Sequence, residues 1–323
     1  MRDTATLDRN ASTSGPNSGN STAGNSTGGN SPREGLILLA SLALFWGTNW
    51  PAMKLAVSHI DPWVFRTLCL AAGGGGLLLA ARIAGRSLAI PAEDWKPLIL
   101  VSLLNVTGWQ LFSAFGLTYM GAGRAAIIAF TMPLWASVLG VLVLGERMNA
   151  ARIGGLLLGL AGMGFLLAPE LERLRAAPWG VVMMLTAAVS WAAGTVALKA
   201  RRWTMDTLQL SGWQLTLGGV PVLLGTLVAG HPETLLTASW ESLAGAVYAM
   251  LIPMIYCHWA WFRVVALFPA NVAAIGTLAI PVVGVFSSAL LLGEKLGFGE
   301  LAALVLVVAA LGLVLLVPAR GKA

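Results

Sequence analysis

The chain has 323 residues, 57% hydrophobic and only 11% charged, with a formal net charge of +6. An ordinary soluble domain is about a quarter charged, and a water-soluble fold this apolar would lack the polar surface to face its solvent; the composition points instead to an integral membrane protein dissolved in lipid. The bases are scattered over short loops between apolar runs and make no basic face, which argues against a nucleic-acid partner.

Chemistry-bearing motifs are scarce. Cys69 and Cys257 both lie inside apolar runs and offer neither a disulfide framework nor a metal spacing. His59, His231 and His258 are far apart. No nucleophile elbow, P-loop or kinase signature occurs, so no enzyme activity, cofactor or metal is expected.

In chain order, residues 1–33 come first, mostly Ser, Thr, Gly and Asn. Such a segment cannot bury apolar surface and is expected to be a disordered tail. Its Asn-x-Ser/Thr patterns at Asn10, Asn20 and Asn25 follow from composition alone. The first apolar run starts near Leu36 and is of spanning length, with no cleavage site after a short core, so it is not read as a signal peptide.

A helix needs ~20 apolar residues to cross the hydrocarbon. Ten candidates follow, at about 35–57, 62–84, 97–117, 122–144, 151–168, 178–198, 207–229, 242–264, 270–292 and 298–317. The predicted fold is an all-α membrane protein, because exposed backbone in lipid must bond within its own segment and no short alternating strands of a barrel occur. Ten passes place both termini on one side. With that side cytoplasmic, only Lys54, Arg66, Arg124, Arg173, Arg175 and Lys295 of the twenty Lys and Arg lie toward the other face, as the positive-inside rule requires.

The second half repeats the first. "WGTNWPAMK" from Trp46 aligns with "WAAGTVALK" from Trp191; at the same offset Asp61 meets Asp206, and Gly73-Gly74 meet Gly218-Gly219. After a small length difference, "PLWASVLGVLVLGER" from Pro133 aligns with "PVVGVFSSALLLGEK" from Pro281, so that Gly145-Glu146 meet Gly293-Glu294. The predicted division is a tail (1–33), a first five-helix repeat (34–170), a second (171–318) and a short tail (319–323). An odd number of passes per repeat inverts the second copy relative to the first, the plan of many secondary transporters. Pro133 and Pro281 each remove a backbone donor and clash with the preceding turn, so a kink or hinge is expected at matching depth in both halves.

"FWGTNWPAMKLA", "GAGRAAIIAFTMPLWASVLGVLVLGER" and the copy ending "LLLGEK" resemble the EamA family of the drug/metabolite transporter superfamily, over about residues 36–317. The resemblance implies ten spans in two inverted EamA repeats, cytoplasmic termini, a central cavity between the halves, and export of small metabolites, commonly amino acids or related compounds. In the second copy of the Trp-Gly motif Gly47 and Asn49 become Ala192 and Gly194, so the two sides of the cavity should differ chemically.

Polar and aromatic groups at membrane depth are the candidate substrate contacts. Trp46, Asn49, Trp50 and Lys54 share a helix face; Trp191 starts a matching stripe with Thr195 and Lys199. Asn105, Trp109 and Ser113 form a third stripe, flanked by Gln110. Gln110 corresponds to His258, beside Tyr256 and Cys257, and Trp213-Gln214 add an aromatic–polar pair. Trp63, Trp95, Trp179, Trp203 and Trp240 lie near span ends and read as interfacial anchors. Lys54, Arg66 and Lys199 are close enough to an end to snorkel, and Arg66 is placed to pair with Asp61 at the outer mouth. Glu146 and Glu294, at span ends, are expected to bond nearby backbone or bases. No Asp or Glu falls in the middle of a span, which argues against a carboxylate-based organic-cation mechanism. His258 is the one deep group that titrates near neutrality.

These residues favour an inner-membrane carrier of a neutral, zwitterionic or amphipathic small-molecule solute by alternating access. Export of a drug or a lipid-linked compound stays open, as does a membrane scaffold without transport.

Overall fold

The computed structural model describes residues 32–145, 150–167, 178–267 and 279–316. Residues 1–31, Glu146, Arg173, Arg175, residues 268–278 and the C-terminal tail lie outside the described residues, while residues 32–33 of the expected tail begin the first helix. Among the described residues every regular element is helical, as an apolar chain that must satisfy its own backbone in lipid requires. The helices are α1 (Pro32–His59), α2 (Pro62–Ile83), α3 (Trp95–Val101), α4 (Trp109–Tyr119), α5 (Ala122–Ala129), α6 (Met132–Leu144) and α7 (Ala150–Leu167) in the first half. The second half holds α8 (Trp179–Lys199), α9 (Thr207–Ala229), the short α10 (Thr234–Thr237), α11 (Trp240–Leu251), α12 (Cys257–Leu267), α13 (Ala279–Leu292) and α14 (Phe298–Leu316). A π-helical turn, Ser102–Gly108, joins α3 to α4, and a second, Ile252–Tyr256, joins α11 to α12. Among the described residues seven helical segments are long and apolar enough to cross a membrane, against the ten expected; Ile153–Gly162, Ala279–Leu292 and Phe298–Leu313 are shorter apolar helices. Their outer faces are apolar, with Val228 89% and Leu290 84% exposed, the inverse of a water-soluble surface.

Local signals recur at equivalent positions. Asp61 Oδ1 accepts from the backbone N–H groups of Trp63 and Val64 and so caps α2; Asp206 Oδ1 accepts from Leu208 and Gln209 and caps α9. Gly145 and Gly293 follow α6 and α13 with φ of 65° and 66°, the left-handed conformation that ends a helix at no steric cost only for glycine. The duplicated Gly-Glu motif therefore begins with a helix stop.

The halves pack through equivalent helices. Along α2 and α9, Leu78 meets Gly212, Gly74 meets Thr216, Leu70 meets Gly219 and Trp63 meets Gly225. Residue numbers rise on one helix as they fall on the other, so the two copies run antiparallel. The same holds for α7 and α14, where Gly154 faces Leu313, Gly159 faces Ala310 and Gly162 faces Leu306. Small residues permit the approach: a Cβ on Gly74 would stand 3.0 Å from the backbone nitrogen of Thr216. Other contacts come in matched pairs. Helix α1 packs on α11 and α13, and its copy α8 packs on α4 and α6.

The helix carrying Pro133 is interrupted where a kink was expected. α5 stops at Ala129, Thr131 N–H turns back to the Ile128 carbonyl, and α6 restarts at Met132 with Pro133 in its first turn, where the missing N–H is not needed. Pro281 is buried in the first turn of α13.

Candidate functional site

The two π-turns end at Gly108 and Tyr256, which are equivalent residues under the offset that aligns Gln110 with His258. A π-turn breaks the regular i→i−4 ladder, and side chains take up the carbonyls it frees. Ser190 Oγ donates to the Leu104 carbonyl at 2.7 Å, and His258 Nδ1 lies 2.9 Å from the Pro253 carbonyl. A carbonyl only accepts, so Nδ1 carries the hydrogen there. Both turns went unread in the sequence; Pro253 marks the second, and nothing in the residues marks the first.

Around these turns the aromatic candidates form two groups. Trp50, 3% exposed, makes edge contacts with Trp109 and Phe130, each with ring centroids 6.4 Å apart. Trp46 stands edge-on to His258 at 6.3 Å and beside Trp261 at 5.9 Å. Tyr256 packs on Phe45 at 5.6 Å, and its hydroxyl is 2.8 Å from Ser41 Oγ. Trp46, Asn49, Asn105 and Trp109 are half-buried, while Gln110 is buried. Asn105 reaches the other half: its Nδ2 donates to the Trp191 carbonyl at 3.0 Å and to Thr195 Oγ1 at 3.1 Å. Its backbone lies against Gly194, the residue that replaces Asn49 in the second repeat.

Trp213 lies elsewhere. Its indole nitrogen donates to the Leu88 carbonyl at 3.0 Å, and it packs with Ile90, Leu98 and Met205 at the end where α2 and α3 are joined. The indole N–H is used structurally at a loop, away from the Trp50 group. Trp95, Trp179 and Trp240 are exposed near the starts of their helices, as anchors would be. Trp63 instead packs against Gly225 and Phe115.

Arg66 corrects a sequence expectation. It neither snorkels nor pairs with Asp61. Asp61 turns to the backbone of its own helix start, whereas the Arg66 side chain enters the protein and is 3% exposed. Its Nη2 donates to Ser113 Oγ at 2.9 Å and to Met53 Sδ at 3.3 Å, and its guanidinium lies 5.0 Å from the Phe65 ring centroid. A side chain one turn inside a helix can point to either end; packing alone decides which. Lys54 likewise turns inward, donating to the Leu117 carbonyl at 2.6 Å.

Both ends of the molecule are latched across the halves. At one end Glu294 Oε1 accepts from Ala122 N–H at 2.6 Å and Oε2 from Gly123 N–H at 3.0 Å, a carboxylate at the start of α5. Arg124 pairs with Glu300 at 2.7 Å beside it. A cleft of about 240 Å³ opens here among Gly121, Arg124, Glu294 and Lys295. At the other end Asp94, fully buried, accepts from Thr204 Oγ1 at 2.6 Å and from Arg201 Nη2 at 2.6 Å. The Thr204 hydroxyl first, then the Arg201 guanidinium, hold the Asp94 carboxyl below its usual range against the opposing effect of burial. Arg201 stacks on Trp203 at 5.6 Å.

Comparisons with known proteins agree with this architecture. Residues 33–168 and 178–316 each match the model of the EamA-like transporter family. The chain is 32% identical over 284 residues to the uncharacterized transporter YvbV of Bacillus subtilis, covering 86% of this chain and 90% of that one. It is 26% identical to a protein of Salmonella typhimurium named a probable amino-acid metabolite efflux pump, covering 87% and 94% of the two chains. A solved crystal structure shares the fold, with a TM-score of 0.61 at 21% identity over 88% of this chain and 96% of that one. Two family matches, one per half, together with antiparallel packing of equivalent helices, lead to one statement: the chain belongs to the EamA-like transporter family and is a multi-pass membrane transporter.

Proposed function

We propose that this transporter moves a small metabolite across the inner membrane by alternating access, exporting amino acids or related neutral or zwitterionic compounds. The observation that carries the reading is the antiparallel pairing of α2 with α9 and of α7 with α14, with one interhelical latch at each end. Two near-equivalent halves, inverted and separately latched, can open one end while the other stays shut. The efflux names of relatives such as the Salmonella protein support the direction and the solute class. In this reading the chain makes ten passes as two five-helix repeats, 34–170 and 171–318, with both termini in the cytoplasm. Pro133, beside the break between α5 and α6, and Pro281 are the hinges. The solute meets Trp46, Asn49, Trp50, Asn105, Trp109, Gln110, Trp191, Tyr256 and His258, while Trp213 supports the cytoplasmic end.

The test is uptake into vesicles carrying the purified full chain, with a panel of labelled amino acids. Saturable, protein-dependent uptake that a second amino acid competes for is the expected result. Vesicles in which no solute of any class moves would leave a scaffold as the better description.

A further inference from the structure

Arg66 is a charged group in a place where charge is expensive. A buried ion without a counter-ion costs several kcal/mol even after the protein relaxes around it, and ionisable groups at such positions in membrane proteins mark solute paths. The guanidinium offers five N–H donors. Two of its contacts are a serine hydroxyl and a thioether, and neither neutralises it. Its Nε has no hydrogen-bond partner. No carboxylate lies within ion-pair distance among the described residues: Asp61 caps α2, Glu294 caps α5, and Glu300 holds Arg124.

Among the described residues the other buried side-chain atoms without partners are Asn49 Oδ1 and Gln110 Oε1. All three residues belong to one seam. Met53, which touches Arg66, is one turn beyond Asn49 on α1. Ser113, which accepts from Arg66, donates in turn to the Gln110 carbonyl at 3.3 Å on α4. One unsatisfied cation and two residues with unsatisfied acceptors therefore lie on adjoining turns of α1, α2 and α4, with the Gln110 amide nitrogen reaching Met254 Sδ at 3.8 Å.

We propose that Arg66 is the anchor for the carboxylate of the transported solute, an assignment that rests on the transport reading above and names its substrate class: amino acids and other monocarboxylates. A carboxylate supplies the missing counter-charge and can take two parallel N–H bonds from the fork of the guanidinium. The charge balance favours it over a phosphate ester, because one guanidinium in an otherwise neutral aromatic seam leaves a dianion half uncompensated. The free oxygens of Asn49 and Gln110 are acceptors of the kind an α-ammonium group needs. Arg66 is a binding residue, and a lysine in its place keeps the charge but not the fork.

The test uses the full chain in vesicles and in detergent, with the standard amino acids, their C-terminal amides, which lack the carboxylate, and the matching decarboxylated amines. Wild type is expected to transport the acid at least tenfold better than its amide and amine, and to be thermally stabilised by the acid alone. Arg66→Lys should fold, elute as a single species and weaken the acid about tenfold. Arg66→Gln should bring acid and amide within about twofold of each other. If Arg66→Gln does not fold, the Arg66→Lys comparison of acid with amide carries the test by itself. Wild type that moves acid and amide equally, or variants that keep the full preference, overturns the carboxylate role and leaves the carrier reading standing. Wild type that moves nothing overturns both.

Discussion

Glu294, just past the last turn of α13, accepts a 2.6 Å bond from the backbone N–H of Ala122 at the start of α5. A carboxylate from the second half thus occupies the helix N-terminus of the first, where the macrodipole and the unbonded N–H groups favour a negative charge. Arg124 with Glu300 completes a charged rim at this end.

Breaking that latch should open the rim. Glu294→Ala removes two charge-assisted bonds worth about 1–3 kcal/mol each, enough together to shift a balanced two-state equilibrium by more than about tenfold. Ser288 is 1% exposed and lies against Gly123. In a Cys69→Ser, Cys257→Ser background, a Ser288→Cys reporter should react with an impermeant maleimide several-fold faster when Glu294 is alanine. An unchanged labelling rate would show that Glu294 does not hold this end closed.

The opposite latch has a defined acid limb. The folded-state Asp94 carboxyl lies below its unfolded value, so its contribution to stability is complete above about pH 4 and is lost as pH falls through the depressed folded value. Asp94→Asn should lower stability by about 1–3 kcal/mol at neutral pH and flatten the loss below pH 4. Thermal unfolding in detergent between pH 7 and pH 3 measures both. A variant with the wild-type acid limb would place the titrating group elsewhere.

Neighbouring glycines should behave in opposite ways. Gly74→Ala drives a Cβ to 2.6 Å from Thr216 Oγ1 and 3.0 Å from the backbone of α9, so α2 and α9 must separate at a cost of about 1–3 kcal/mol. Gly75→Ala meets nothing within 4 Å and should be neutral or slightly stabilising, since alanine is the better helix former. Paired melting curves decide it; equal melting temperatures would contradict the close packing of the repeat-related helices.

Asn105 separates support from transport. Asn105→Ala loses two interhelical bonds of about 1 kcal/mol each and should still insert and fold. Together with Trp46→Ala, it should lower solute uptake at least tenfold under the proposed function. Wild-type uptake by both would remove these positions from the solute path.

Sequence alone determined the class of solvent, the all-helical class and the duplication; seven of the ten expected spans stand as helices of spanning length among the described residues. Apolar content and run length report on lipid directly, because a polar side chain in hydrocarbon carries its cost wherever it packs. The pairing of Asp61 with Asp206 and of Gly145 with Gly293 was legible as part of the repeat, but their roles as caps and helix stops were not read, and Asp61 was given to Arg66 instead. The tertiary structure alone decided which way Arg66 and Lys54 turn, what Glu294 holds, that Trp213 serves a loop, and that both halves carry a π-turn at the same depth. Those outcomes are set by which neighbour offers an acceptor or a gap. That neighbour comes from a helix distant in the chain, and only the packing of the inverted halves against each other brings it within reach.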